Sequence, residues 1–308
     1  MTKKIISNSQ NGQRDHTPIC WICGSSGLDL TKTSDISGAL TPDAFAITDS
    51  DYGKTTELYK CTSCGFIQSS EASDVLSYYK ELKDAEYEAG RKERGIQANK
   101  LLNTITGSKP YGRLVDIGAG SGILVEEAIK LGYKAEGVEP SIWLQNRAAE
   151  RNIPVHLGVF PHPDVAGNID VISIVDVIEH VNDPVGLLTD IRKGLSDSGI
   201  GLVVTPDVGS FAAHLLGKRW WHYRIAHIGY FNRKTLFLAL ERAGLDVVCA
   251  GRPCWYFTLS YLLERANHYL PSFLRLPDVA ILSRMTIPLN LRDSLYVVFR
   301  KIREESTL

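Results

Sequence analysis

Beyond residue 112 the chain alternates between apolar runs and helical stripes. The runs are "RLVDIG" (113–118), "KAEGVEP" (134–140), "VHLGV" (155–159), "IDVISIVD" (169–176), "GIGLVVTP" (199–206) and "LDVVCAG" (245–251). Between them lie "SGILVEEAIKLG" (121–132), "SIWLQNRAAERN" (141–152), "DPVGLLTDIRKGL" (183–195) and "NRKTLFLALERAG" (232–244), with apolar residues at helical spacing. Start and stop signals agree. Ser141 opens the second helix, Asp183 precedes Pro184 at the first turn of the third, and Gly132 and Gly244 close the first and fourth. Apolar strands alternating with helices predict an α/β, doubly wound, mostly parallel sheet covered on both faces. The tail breaks the rhythm: a helix over 257–270 and a proline-rich connection lead to a last strand, "SLYVVFRK" (294–301).

The first third reads differently. A helical stretch over 74–105 is rich in Tyr, Lys and Glu, and its apolar residues reach helical spacing only toward the end, at Ile96, Leu101, Leu102 and Ile105. Its charges are read as a solvated face. Ahead of it stand "CWIC" (Cys20, Cys23) and "CTSC" (Cys61, Cys64), each followed by Gly. Two residues between thiolates let a tight turn aim both sulfurs at one ion, and two such knuckles predict a structural, four-thiolate zinc ribbon. Cys249 and Cys254 lack such spacing and are expected to be buried apolar residues. The predicted division is a ribbon over 1–73, a helical linker over 74–110 and a ligand-binding domain over 111–308.

Composition adds exclusions. Of 308 residues, 34 are Lys or Arg and 35 Asp or Glu, so no global field draws the chain to nucleic acid or an anionic membrane. The basic N-terminal stretch over 1–15 has no apolar run behind it and does not read as a signal peptide. No segment approaches the roughly 18 apolar residues of a membrane span. A cytoplasmic protein is expected, where six cysteines do not form a disulfide framework.

The chemistry starts at "VDIGAGSG" (115–122). A strand, glycines and a helix could cradle a dinucleotide, but the spacing is G-x-G-x-G, with Gly118, Gly120 and Gly122. Asp116 stands just before them. A carboxylate there repels a pyrophosphate and attracts a cation. Glu139 ends the second strand, where an acid can accept both hydroxyls of a ribose. That fits NAD and S-adenosylmethionine equally, and Asp116 breaks the tie toward S-adenosylmethionine, which carries an ammonium and a sulfonium and no phosphate.

"VDIGAGSG", "GVEPS", "IDVISIVDVIEHVNDP" and "GIGLVVTPD", in that order, resemble the successive motifs of class I S-adenosylmethionine-dependent methyltransferases. The resemblance runs from about Tyr111 to Phe299. It implies a seven-stranded sheet whose last strand is antiparallel. It also implies that the loop from Asp116 to Gly122 contacts the methionine part and Glu139 the ribose, that Gly158 and Val159 lie by the adenine, and that Asp176 lies near the transferring methyl. A ribbon ahead of this domain, followed by "TPDVGSFAAHLLGKRWWHYRIAHIGYFNRKTL" (205–236), is similar to methyltransferases of bacterial polysaccharide and deoxysugar synthesis. Those carry Glu-His before an aromatic pair; here Ala226 precedes His227, ahead of Tyr230 and Phe231. The missing carboxylate weakens a C-methylation mechanism and leaves O-methylation, for which one histidine suffices as base near pH 7.

Two histidines compete for that role. His180 follows Glu179 just beyond an apolar strand, and His227 lies in a long aromatic loop, the kind that often forms a lid; His227 is preferred. Lys218, Arg219 and Arg224, interleaved with Trp220, Trp221 and Tyr223, could stack on and pair with a nucleotide-sugar diphosphate. The leading expectation is methyl transfer to a small glycosyl substrate, nucleotide- or lipid-linked. The alternatives are a phenolic or quinone-like small molecule, RNA, or a non-catalytic binding module.

Overall fold

The structure is a computed structural model that describes residues 19–302 apart from 37, 39, 47, 49–51, 70–74, 110, 268–269, 272–274 and 276–279. The N-terminal stretch over 1–15 lies outside the described residues. At the N-terminal end, β1 (Leu28–Lys32), β2 (Leu58–Cys61) and β3 (Ile67–Ser69) form an antiparallel meander. Three helices follow: α1 (Val75–Glu81), α2 (Ala85–Ala89) and α3 (Arg91–Thr106). The chain then alternates as β4 (Arg113–Ile117), α4 (Ile123–Lys130), β5 (Lys134–Glu139), α5 (Ile142–Ala149), β6 (Val155–Leu157), β7 (Ile169–Val175), α6 (Pro184–Gly194) and β8 (Leu195–Pro206). After α7 (Phe211–Leu216) and the short β9 (Gly229–Tyr230) come α8 (Arg233–Arg242), β10 (Leu245–Gly251), β11 (Trp255–Thr258), α9 (Leu259–Asn267), β12 (Thr286–Leu289) and β13 (Ser294–Lys301).

Seven strands make the central sheet in the order β10-β13-β8-β7-β4-β5-β6. Strands β4 to β8 pair in parallel, and β13 runs antiparallel to both β8 and β10. This is the sheet and the antiparallel last strand that the motif order implied. Alternation along each strand feeds two cores. Val115, Ile172, Val203 and Phe299 pack on one face with Leu188, Ile191, Leu236 and Leu240 of α6 and α8. Leu114, Val171, Leu202 and Val298 pack on the other with Leu101, Leu102 and Ile105 of α3 and Val125 of α4. The expected caps are in place: the Ser141 hydroxyl accepts from Leu144 N–H at 3.2 Å, and Asp183 accepts from Gly186 N–H at 2.8 Å.

Two expectations need correction. The helix read over 257–270 begins only at Leu259, because Trp255–Thr258 is a strand paired antiparallel with Thr286–Leu289. An aromatic and β-branched run prefers a sheet partner when one is within reach. Cys249 is exposed and Cys254 half-buried. Cys249 lies at a register shift in the β10–β13 pairing, which turns its thiol out of the core.

The meander does not stop at its own strands. β9 adds to its edge, with Tyr230 opposite Ile67 and Gly229 opposite Gln68. Phe66 reaches Phe231 with ring centroids 4.9 Å apart, so the cysteine-bearing layer shares one core with the central sheet.

Candidate active site

The carboxyl ends of β4, β5, β7 and β8 open into a cavity of about 1610 Å³. Ligands of open α/β sheets bind at this edge. The volume exceeds the roughly 300–1,000 Å³ of a site for one drug-sized ligand, so it has room for two molecules side by side.

The glycine turn forms part of the wall. Gly118 and Ala119 donate their N–H groups to the Val138 carbonyl at 2.8 and 3.1 Å, tying the turn to β5. Gly118 (φ 71°) and Gly120 (φ 56°) are left-handed, and a Cβ on them would fall 2.5 Å from Val177 Cγ2 and 2.6 Å from Tyr87 Oη. Gly122 caps α4, also left-handed. Gly158 donates to the Glu139 carbonyl at 2.9 Å and, with Val159, lines the cavity beyond β6. Asp176, at the end of β7, has φ 53°, a strained conformation for a non-glycine residue.

Among the carboxyl groups that line this cavity are Asp116, Glu139, Asp176 and Glu179, at the ends of β4, β5 and β7. Asp116, Glu139 and Glu179 are buried. Burial pushes Asp116 up to about 7, against the 2.7 Å hydrogen bond it accepts from Ser173. Burial likewise pushes Glu139 up to about 7, although it accepts from Ser141 N–H and Gly120 N–H, both at 2.8 Å. Asp176 is open to the cavity yet ringed by protein, which pushes it up to about 6 while His222 and Arg94 pull it down. Glu179 is driven well up by burial and by Asp176, and its Oε1 has no hydrogen-bond partner among the described residues. Such a group of carboxyls is held at a cost that a cationic ligand would offset. The glycine cradle, the Asp116 carboxyl and the Glu139 carboxyl therefore fit a ligand that carries an ammonium and a ribose.

The tertiary fold brings the two competing histidines together. His180 ends a 3-10 turn (Ile178–His180) after β7, and His227 immediately precedes the backbone that leads into β9. Ile228 locks them: its N–H donates to the Glu179 carbonyl at 2.9 Å, and its carbonyl accepts from Ser69 N–H at 2.8 Å. The rings of His180 and His227 lie edge to face at 4.8 Å. His227 Nδ1 sits 2.9 Å from the His222 carbonyl, and His180 Nδ1 2.7 Å from the Ala226 carbonyl. A carbonyl only accepts, so both Nδ1 atoms carry the proton and both Nε2 atoms offer a lone pair. Burial drives His227 well below the ordinary histidine range and His180 down to about 4. Both rings are thus neutral at pH 7.

The basic aromatic cluster divides. Trp221, His222 and Arg224 line the cavity, Trp220 is in a small core with Leu58 and Tyr230, and Lys218 and Arg219 are exposed and away from it. The stretch over 74–105 is also corrected: it breaks into three helices, and Tyr79, Tyr87, Glu93 and Arg94 line the cavity rather than a solvated face. Asp84 causes the break by capping α2, accepting from Tyr87 N–H at 2.9 Å. Arg91 then donates to Ser121 Oγ at 3.0 Å, laying this segment over the glycine turn. Sequence reasoning missed Tyr87, Arg94, His222 and Asp293. Asp293 is buried and holds both Trp221 Nε1 at 2.8 Å and His222 Nε2 at 3.3 Å. The available sign was three tyrosines in a stretch too polar to need them; nothing local pointed to Asp293.

At the far end of the N-terminal meander, the four predicted cysteines meet. Cys20 and Cys64 Sγ lie 3.6 Å apart, as do those of Cys23 and Cys61, and all four are within 4.8 Å of one another. Thiolates at the usual 2.3 Å around a tetrahedral ion are about 3.8 Å apart, so the donor set fits one.

A family described as "Methyltransferase domain" matches residues 87–250. A ubiquinone biosynthesis O-methyltransferase of Cereibacter sphaeroides is 30% identical over 161 residues, covering 44% of this chain and 61% of that protein. The chain thus spans about three-fifths of the length of that relative. Among solved structures, a Haloferax volcanii complex of a methyltransferase activator with its candidate methyltransferase is similar over 76% of this chain and 100% of the other, at 13% identity and TM-score 0.51. An S-adenosylmethionine-dependent methyltransferase of Clostridium acetobutylicum covers 68% of this chain and 92% of its own, at 8% identity and TM-score 0.47. At these identities the likeness concerns the fold alone.

Proposed function

This chain belongs to the methyltransferase-domain family, and from that premise we propose that it transfers a methyl group from S-adenosylmethionine to a hydroxyl of a small acceptor. One observation carries the reading: the glycine turn with its buried acids and the His227 side chain line the same cavity. Asp116, with the turn through Gly122, would hold the methionine part, Glu139 the ribose, Gly158 and Val159 the adenine side, and Asp176 the region of the methyl. Bound there, S-adenosylmethionine supplies an electrophilic methyl on a sulfonium. His227 Nε2 would take the proton of the acceptor hydroxyl, with its ring fixed by the His222 carbonyl; His180 is the alternative base in the same pocket. Placement in line with the methyl would supply much of the remaining acceleration.

The acceptor we favour is a glycosyl group on a charged carrier. Arg94, Arg224 and Arg265 line the cavity beside Trp221, Trp255 and Tyr261, a mixture that suits a sugar face and an anionic tether. The name of the Cereibacter sphaeroides relative favours a second acceptor, a phenol, which the same aromatic walls would accommodate. The four-cysteine centre would be a structural zinc of the segment over 1–73, ahead of the linker over 74–110 and the transferase over 111–308. Labelled S-adenosylmethionine, incubated with separate pools of nucleotide-sugars, glycolipids, phenols and RNA, decides: label in a sugar supports the favoured acceptor, label in a phenol replaces it, and no label in any pool removes the activity.

A further inference from the structure

We propose that His156, His162 and Asp164 form a second metal site, for a divalent transition ion of the zinc class, on the outer edge of the central sheet. His156 is on β6, the edge strand, and His162 and Asp164 are in the loop that follows it. Asp164 Oδ2 lies 3.7 Å from His156 Nδ1 and 3.8 Å from His162 Nδ1. The three donor atoms are all within 4.8 Å of one another.

The hydrogen bonds behind the two rings orient them toward a shared ligand. Glu136 Oε2 lies 3.0 Å from His156 Nε2, and Glu136 is itself held by Arg113, whose Nη2 is 2.8 Å from its other oxygen. A carboxylate accepts, so His156 keeps its proton on Nε2 and leaves Nδ1 as a lone pair. His162 Nε2 faces the Leu157 carbonyl at 3.3 Å, so its proton sits there as well. Its Nδ1 accepts only a long bond from Asp164 N–H at 3.3 Å. In that tautomer the Nδ1 atoms of both imidazoles face one carboxylate oxygen. A carboxylate behind a metal-binding histidine is the usual outer-sphere arrangement that fixes the tautomer. Bonds of about 2.0–2.1 Å to nitrogen and oxygen place tetrahedral donors about 3.3–3.4 Å apart, so each Asp164–histidine distance must shorten by a few tenths of an ångström. Asp164 is two-thirds exposed and can swing to do so. Three protein donors leave a fourth position for water, unlike the closed four-thiolate set.

The site tethers a loop that matters. A Cβ on Gly158 would fall 2.8 Å from the His162 ring, so ring and backbone are in close contact, and Gly158 with Val159 and Phe160 walls the cavity. An ion on His162 would fix that wall. Its effect on cofactor affinity rests on the reading that this wall faces adenine; the binding of the ion does not.

The test is cobalt titration of the full chain with the thiolate centre first saturated with zinc. One further equivalent of Co²⁺ is expected, with weak visible bands and no sulfur-to-metal charge transfer. Glu136→Gln is expected to weaken it roughly 10- to 100-fold, and Asp164→Asn at least as much, with zinc content at the cysteines unchanged. Hydrogen exchange over 157–165 should slow on binding in the wild type only. Equal cobalt uptake by the wild type and both variants, or uptake lost only in Cys61→Ser, overturns the proposal. Cobalt binding by a wild type that labels no acceptor pool would instead overturn the functional reading and leave this site standing.

Discussion

The Nδ1 atom of His227 and the carbonyl oxygen of His222 are 2.9 Å apart, and this bond decides which nitrogen of His227 can do chemistry. With the proton on Nδ1, Nε2 is the only basic atom on the ring. His227→Ala should bind cofactor normally and lose roughly 10²–10⁴-fold in turnover. Because burial holds this imidazole well below its usual range, the acid limb of the rate should lie well below the pH at which an ordinary histidine charges. Steady-state kinetics from pH 5 to 9 check this. A wild-type limb centred between 6 and 7 that survives in the variant would assign the base elsewhere, with His180→Ala the next candidate.

Asp116 should couple cofactor binding to pH. Its carboxyl is pushed up to about 7, so near neutrality it is partly protonated in the free protein. A cationic ligand favours the ionised form, so binding releases a proton and tightens as pH rises from 6 to 8. Asp116→Asn should cost about 1.5–3 kcal/mol of binding at pH 8, or about ten- to a hundredfold, and flatten the pH dependence, leaving the part due to Glu139. Calorimetry in buffers of different ionisation heat measures both quantities.

The same acids should shape stability. In the unfolded chain Asp116 and Glu139 ionise near 4, while in the fold they hold their protons up to about 7. Between those values the folded state binds more protons, so their contribution to stability falls as pH rises through that window. His180 and His227, pushed down by burial, act with the opposite sign below about 6.5. The variant comparison isolates the acids: thermal unfolding of Asp116→Asn and Glu139→Gln should be less sensitive to pH between 4 and 7 than the wild type.

Gly120 should not tolerate a side chain. Alanine there meets both a left-handed φ of 56° and Tyr87 Oη at 2.6 Å. Gly120→Ala should lose about 1–3 kcal/mol of stability and most cofactor affinity. Adding Tyr87→Phe removes the contacting hydroxyl but not the backbone strain, so it should restore only part of the stability in denaturant titrations.

Metal at the four cysteines should be felt at His227. β9 pairs with β3, and Ser69 N–H holds the Ile228 carbonyl at 2.8 Å. One zinc per chain is expected at these cysteines, apart from any ion held by His156, His162 and Asp164, and elemental analysis of wild type and variants counts it. Cys61→Ser should lower it and raise amide exchange at residues 228–230. Unchanged exchange there would separate the metal from the catalytic loop.

The local sequence determined much. Period and punctuation from 113 to 251 set the strands, helices and caps, because apolar alternation and N-cap chemistry act over a few residues. The knuckle spacing placed each cysteine pair, and the order of motifs placed Asp116, Glu139 and Asp176 at one sheet edge. What the sequence left open was set by residues far apart in the chain. No pattern near Tyr87 says that it will roof Gly120, and none near Asp293 says that it will hold His222. Helices over 75–106 read as solvated because the polar side chains that line a cavity look, in sequence, like those of a surface. His180 and His227 read as rivals in separate loops; the strand added by β9 and the carbonyls of Ala226 and His222 made them neighbours, and only that packing, with the desolvation it brings, fixed their tautomers and their charge.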